Sequence, residues 1–228
     1  MQPKSGILAD SAIAGLHAAG AILTGKPFDD DQIQPASLDL RLGALAYRVR
    51  ASFLPGPGHK VKDKLDRLKL HAFELSEGAV LETGCVYMVP LLESLKLPEL
   101  VSASTNPKSS TGRLDIFTRV LTDHGQEFDQ IPAGYEGPLW LEISPRTFPI
   151  VVRTGSRLSQ IRFRQGTSQL DEDELRALHA NETLIAADNP NVSGGGIALS
   201  IDLEGSGKGS LVGYRGKHHT AVVNVDRK

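Results

Sequence analysis

Two stretches of this 228-residue chain gather side chains with chemical use. The first, Asn106-Pro107-Lys108-Ser109-Ser110-Thr111-Gly112-Arg113, brings an ammonium, three hydroxyls and a guanidinium into eight residues. That vocabulary suits a phosphate: lysine is a point charge, arginine a bidentate fork, and the N–H groups at a helix start bind anionic oxygens. The same letters also spell an ordinary turn that caps a short helix. The second stretch is Ile131-Pro132-Ala133-Gly134-Tyr135-Glu136-Gly137-Pro138-Leu139-Trp140-Leu141-Glu142-Ile143. Leu139, Leu141 and Ile143 alternate as a core-facing row, which puts Glu142 with Trp140 on the other face of a strand, toward solvent or into a cleft. In solvent it is a solvated charge, and in a cleft it is a candidate proton acceptor.

Composition narrows what those groups can serve. The chain is 40% hydrophobic and 23% charged, with Lys+Arg 25 against Asp+Glu 27 and a formal net charge of -2. A soluble globular protein is expected, without the clustered cations that nucleic acid or an anionic membrane would need. No apolar run approaches the roughly 18 residues of a membrane span, and Lys4, Asp10 and His17 interrupt any signal-peptide core. A cytoplasmic location is expected. The single Cys85 excludes an internal disulfide framework, and also the zinc site with H-x-E and P-C-x-x-C elements that many nucleobase deaminases use. Any such chemistry here is expected to run without zinc. In its apolar setting Cys85 reads as a buried inert thiol or a reactive one.

The elements that must position these groups are mostly short. Ile13, Leu16, Ala19 and Ile22 recur at spacings of three and predict one amphipathic helix over 9–23, with Asp10 or Ser11 as its cap. Ser37-Leu38-Asp39-Leu40-Arg41-Leu42-Gly43 alternates as a half-buried strand, and a Pro/Gly-rich excursion follows over 55–58. Strand signals bounded by turn residues then recur at 70–75, 79–81, 86–90, 95–97, 101–104, 117–122, 139–143, 150–152 and 159–163. Many short strands with one or two helices indicate a β-barrel or sandwich. Beyond Gln165 the order starts again. Residues 175–184 echo the first helix, 197–203 repeat the alternation of Leu38, Leu40 and Leu42, and Tyr214-Arg215 answers Tyr47-Arg48. The expected organisation is a first domain over 1–165, an acidic linker over 166–174, and over 175–228 the start of a second similar copy. The repeat suggests that the chain is cut short of a full tandem protein, or that its last part packs on the first copy or a neighbouring subunit.

Several motifs, taken in order, resemble the dCTP deaminase family of the dUTPase-like superfamily. They are Ser37 to Gly43, Leu81-Glu82-Thr83-Gly84, Leu92 to Leu100, Lys108-Ser109-Ser110-x-x-Arg113, Gly134-Tyr135-Glu136-Gly137-x-x-x-Leu141-Glu142 and Val152-Arg153-Thr154-Gly155-x-x-Leu158-x-Gln160-Ile161-x-Phe163. The likeness covers about residues 8–165, and the tandem layout resembles a longer, duplicated branch of the family. It implies a mainly β, distorted jelly-roll β-barrel with a short N-terminal helix. It also implies a homotrimer with nucleotide sites between subunits, no zinc, and Mg²⁺ accompanying the triphosphate.

Carried onto this chain, the resemblance makes Glu142 the general base that activates water toward C4 of cytosine. Ser109 helps hold that water, and Arg113 supports the site from the subunit interface. Lys108, where the family has arginine, and Ser110 then bind phosphate. Thr122 and Tyr135 contact the nucleotide, while Gln160 binds substrate or makes buried structural hydrogen bonds. Two departures stand out. Pro132 occupies the usual place of an aspartate near the deoxyribose, with Asp129 as the substitute in reach. The loop over 123–130 is longer than usual, and no C-terminal lid is evident after Phe163. The leading reading is zinc-independent deamination of dCTP to dUTP. The alternatives are a dUTPase-type or bifunctional hydrolase, or a non-catalytic nucleotide-binding module.

Overall fold

A computed structural model describes residues 5–167, 169–217 and 221–227 of the chain, so Lys4 and Lys228 lie outside the described residues. The described residues of 1–166 and 217–228 form one compact unit, and those of 167–216 a second. In chain order the first unit opens with β1 (Gly6–Ile7), α1 (Asp10–Ala18), β2 (Ile22–Thr24), β3 (Ile33–Gln34), β4 (Ser37–Arg41) and β5 (Leu45–Val49). There follow α2 (Val61–Leu68), β6 (Lys69–Glu74), β7 (Ala79–Leu81), β8 (Val86–Lys96), β9 (Val101–Pro107) and α3 (Ser109–Arg113). Next come β10 (Ile116–Thr122), β11 (Gln130–Ile131), β12 (Glu136–Pro145), β13 (Ile150–Val152) and β14 (Arg157–Gln165). The second unit holds α4 (Glu172–Asn181), β15 (Asn191–Ser193) and β16 (Gly196–Ala198), and β17 (Val223–Asn224) returns to the first.

Two six-stranded antiparallel sheets carry the first unit. One runs β11-β9-β14-β4-β3 with β1 beside β14, the other β10-β12-β8-β5-β6 with β2 beside β8, and a small sheet β17-β13-β7 lies apart. Inward residues of both sheets, among them Leu38, Leu40, Val120, Leu141, Ile161 and Phe163, share one buried core. The protein is mainly β, as the run of short strands requires. A second, smaller cluster lies on the opposite face of the second sheet, where Val61 and Leu65 of α2 cover Val49, Met88, Leu121 and Trp140. The excursion at 55–58 thus leads into a helix that apolar spacing alone did not reveal: α2 has only two buried residues, set among lysines and aspartates.

Several expectations need correction. The first helix stops at Ala18, because Gly20 adopts φ 76° and turns the chain into β2, so Ile22 belongs to a strand. Asp10 lies inside that helix's first turn, and its cap is Ala9. β4 is buried on both faces, since Asp39 and Arg41 are 1% and 3% exposed. In the second unit Asp171 is the N-cap of α4, accepting from the Glu174 amide while Glu174 accepts from its own, so the acidic run starts a helix. The alternation over 197–203 is a strand only in β16, and Leu199, Ile201 and Leu203 are exposed. No strand forms over 211–215. The last described residues belong to the first unit: β17 pairs in parallel with β13, and Asp226 accepts from Ser156 Oγ at 2.9 Å.

Burying Arg41 requires a fixed anion. Glu93 on β8 is fully buried and accepts from Arg41 Nε at 2.8 Å, from the Arg41 amide at 2.8 Å and from Gln32 Nε2 at 2.9 Å. Arg41 also donates to the carbonyls of Pro27 and Lys26 and to Thr24 Oγ1, which ties β4 to β8 and to the chain before it. Removing one partner of such a pair leaves an uncompensated buried charge. Glu93→Ala is therefore expected to lower unfolding free energy by about 3–5 kcal/mol, read from the urea midpoint. A loss below about 1 kcal/mol, the size of an exposed pair, would show that the network does not hold the sheets together.

Candidate functional site

The pairing of β12 decides what Glu142 meets. Its register sets Arg119 of β10 on one side of Glu142 and Met88 of β8 on the other. Arg119 donates to Glu142 Oε1 from Nη2 at 2.6 Å and from Nε at 3.1 Å. The guanidinium is held in turn. Its carbon lies 3.6 Å from the ring centre of Phe128 and 4.9 Å from that of Phe117, and Nη2 donates to Ser52 Oγ at 2.7 Å. Glu142 is 1% exposed, and its Oε2 is buried with no hydrogen-bond partner among the described residues. The alternation did place Glu142 on the face of Trp140, but α2 and Phe128 close that face, so the carboxylate is neither solvated nor in an open cleft. A buried, paired carboxylate with one bare oxygen can accept a proton from any water or ligand group that reaches it.

Arg119 and Phe128 were not singled out from the sequence. The signal was present in Ile116-Phe117-Thr118-Arg119-Val120-Leu121-Thr122, where a lone cation interrupts an apolar strand. Thr118 and Val120 face the core, so Arg119 must share the other face with Glu142.

The phosphate-like stretch sits elsewhere on the unit. Lys108 is the N-cap residue of α3, and the Thr111 hydroxyl anchors that turn by donating to the Leu158 carbonyl at 2.8 Å. Ser109, Ser110 and Arg113 are exposed. The Lys108 ammonium is already committed to the buried carboxylate of Asp39. Arg157 approaches the same carboxylate at 3.7 Å and holds Asp29 and Asp31 at 2.6 and 2.7 Å. Lys108, Ser110 and Arg157 thus share a hollow of about 570 Å³ with Asp29, Asp31 and Asp39. Gln160, half-buried on β14, accepts from Ser37 Oγ at 3.2 Å, a link between β14 and β4.

Thr122 and Tyr135 line a different cleft, of about 520 Å³, with Asp123, His124, Gln130 and Arg164. That size suits a nucleoside. The Tyr135 hydroxyl donates to the Pro138 carbonyl at 2.7 Å and accepts from the Asp123 amide at 3.1 Å, and burial pushes its pKa up to about 12. Asp129, the substitute considered for the missing aspartate, is engaged through one oxygen. Its Oδ1 accepts from the Val120 amide at 2.8 Å and from Thr105 Oγ1 at 2.7 Å, tying β10 to β9, and burial raises its pKa. The residues singled out from the sequence therefore fall in three places within one chain: the Glu142 pair, the α3 hollow and the Thr122–Tyr135 cleft.

Comparison with known proteins decides the family. Residues 4–167 match the N-terminal domain of 2'-deoxycytidine 5'-triphosphate deaminase and residues 171–228 match its C-terminal domain. The chain belongs to the dCTP deaminase family. A crystal structure of 2'-deoxycytidine 5'-triphosphate deaminase from Agrobacterium tumefaciens is 68% identical with a TM-score of 0.89, and the match covers 99% of this chain and 67% of that one. Among curated relatives, a "dCTP deaminase, dUMP-forming" from a Hydrogenobaculum species is 29% identical over 168 residues, 73% of this chain and 84% of its own length. Another of the same name, from Methanosphaera stadtmanae, is 30% identical over 169 residues, 71% of this chain and 80% of its own length.

The cleft carries its own prediction. Tyr135→Phe removes two hydrogen bonds at a buried site and is expected to cost about 1–3 kcal/mol in unfolding free energy. Because folding raises the tyrosine's pKa from 10.0 to about 12, the stability it contributes is complete below pH 10 and is lost as pH rises toward 12. Denaturation curves across that range should fall more steeply for the parent than for Tyr135→Phe. Equal slopes would contradict the assignment.

Proposed function

We propose that this member of the dCTP deaminase family hydrolyses the exocyclic amine of dCTP, releasing ammonia and dUTP, a precursor of thymidine nucleotides, in the cytoplasm. The observation that carries the reading is Glu142, a fully buried carboxylate with one oxygen paired to arginine and the other bare, on a strand of the matched N-terminal domain. Glu142 Oε2 takes a proton from water as the water oxygen bonds to C4. That proton passes to N3, the new C4 hydroxyl then gives up its own proton through Glu142 to the amine, the C4–N4 bond breaks, and ammonia leaves behind a C4 carbonyl. Ser109 and Arg113 serve that site, and Lys108, Ser110, Thr122, Tyr135 and Gln160 hold the nucleotide.

The three separate locations of these residues support a site completed by a second copy, as a homotrimer would provide. α3 presents Ser109, Ser110 and Arg113 outward, where a neighbour's cleft could meet them. Among the described residues no group of three or more His, Cys, Asp or Glu is placed to hold a metal ion. Mg²⁺ is read as accompanying the nucleotide, held through its phosphates. No helix of the described residues is long and apolar enough to cross a membrane.

The names of the curated relatives favour a second reading, in which the same protein goes on to dUMP. The chain has Pro132 two residues before the Gly-Tyr pair, and Asp129 Oδ1 is bonded between β9 and β10, while the carboxylate of Asp123 lines the cleft. Incubation with dCTP and Mg²⁺ distinguishes the readings: ammonia with dUTP supports the first, ammonia with dUMP and pyrophosphate the second, and bound but unchanged dCTP contradicts both. Glu142→Gln is expected to lower kcat by at least about 100-fold while dCTP binding, followed by calorimetry, stays close to the parent's. An unchanged rate would remove Glu142 from the mechanism.

A further inference from the structure

We propose that Arg119, clamped by Phe128, is the positioning residue that fixes which oxygen of Glu142 acts as the base. The inference rests on the reading of Glu142 just given. Both donated bonds from Arg119 go to the same carboxylate oxygen, Oε1, at 2.6 and 3.1 Å. Oε2 is left buried with its lone pairs unused. A carboxylate held this way cannot rotate to exchange its oxygens without breaking two charge-assisted bonds, so proton transfer is confined to one atom in one direction.

The guanidinium is itself immobilised. It lies between Phe117 and Phe128 and is tied to Ser52 Oγ at 2.7 Å, and the β10–β12 register sets its strand position opposite Glu142. Phe128 comes from the long loop over 123–130, whose earlier residues line the Thr122–Tyr135 cleft. One loop therefore builds a wall of the cleft and seats the arginine that orients the base. Lysine cannot replace this group: an ammonium has no plane to stack between two rings and no fork to place two donors on one oxygen.

The test is steady-state ammonia release from dCTP by the full chain, for the parent, Arg119→Lys, Arg119→Ala and Glu142→Gln, with melting curves for each. Arg119→Ala is expected to lose about 100-fold in kcat with KM within about threefold, since orientation is expressed in the transition state. Guanidinium chloride at tens of millimolar should restore kcat of Arg119→Ala by about tenfold or more by filling the space between Phe117 and Phe128. It should not restore Glu142→Gln. Arg119→Lys should fold and stay at least about tenfold below the parent. A near-parental kcat in Arg119→Lys overturns the proposal, even if Arg119→Ala does not fold. So does a loss carried by KM, or a loss in kcat that tracks a lower melting temperature and does not respond to guanidinium. If Glu142→Gln keeps parental turnover, the reading of Glu142 fails and this inference fails with it. If only Glu142→Gln is impaired, the inference about Arg119 alone is overturned.

Discussion

The organising constraint is a buried carboxylate held by a partly exposed guanidinium on the outer face of a sheet. Removing a carboxylate and a guanidinium from water costs several kcal/mol each, and their attraction offsets this only when the geometry is good and other hydrogen bonds are made. Here the geometry comes from β-pairing. Arg119 and Glu142 face each other in the β10–β12 register, with Glu142 buried and the Arg119 guanidinium, partly exposed, stacked on Phe128. What is left over is one bare carboxylate oxygen. In the proposed reaction that oxygen is the atom that receives a proton.

This arrangement separates the protein's stability from its chemistry. The large core between the two sheets is built from Leu, Ile, Val and Phe, and its sheets are tied by Arg41 and Glu93, which face away from Glu142's cluster. Glu142 lies on the face of the smaller cluster under α2, with Met88 of that cluster as its cross-strand neighbour. The long loop between β10 and β11 joins the two kinds of demand, because Asp129 stitches β10 to β9 while its neighbour Phe128 packs on Arg119. Asp129 adopts φ 62°, so the loop reverses sharply between these two anchoring residues.

Much of this was legible in the residues. Alternation over Leu139, Leu141 and Ile143 oriented Glu142 correctly, and the Lys108–Arg113 motif located the turn at α3. Burial around them was harder to read. Whether Glu142's face is wet depends on α2, whose two apolar anchors, Val61 and Leu65, lie in a segment of lysines and aspartates and carry little periodic signal. The commitment of Lys108 to Asp39 depends on a contact between residues 69 positions apart, which no local pattern encodes. The alternation over 197–203 matched β4 but pairs, among the described residues, only with β15, through 196–198, and Leu199, Ile201 and Leu203 stay exposed, because β-propensity is realised only against partners.

The measurement closest to the central claim is mass spectrometry of the product formed from dCTP in ¹⁸O-labelled water. Hydrolysis at C4 through Glu142 predicts one ¹⁸O in the uracil base of the parent's product, and that label should accumulate at least about 100-fold more slowly with Glu142→Gln. Label confined to phosphate or pyrophosphate, or base labelling in Glu142→Gln at the parent's rate, would contradict the account.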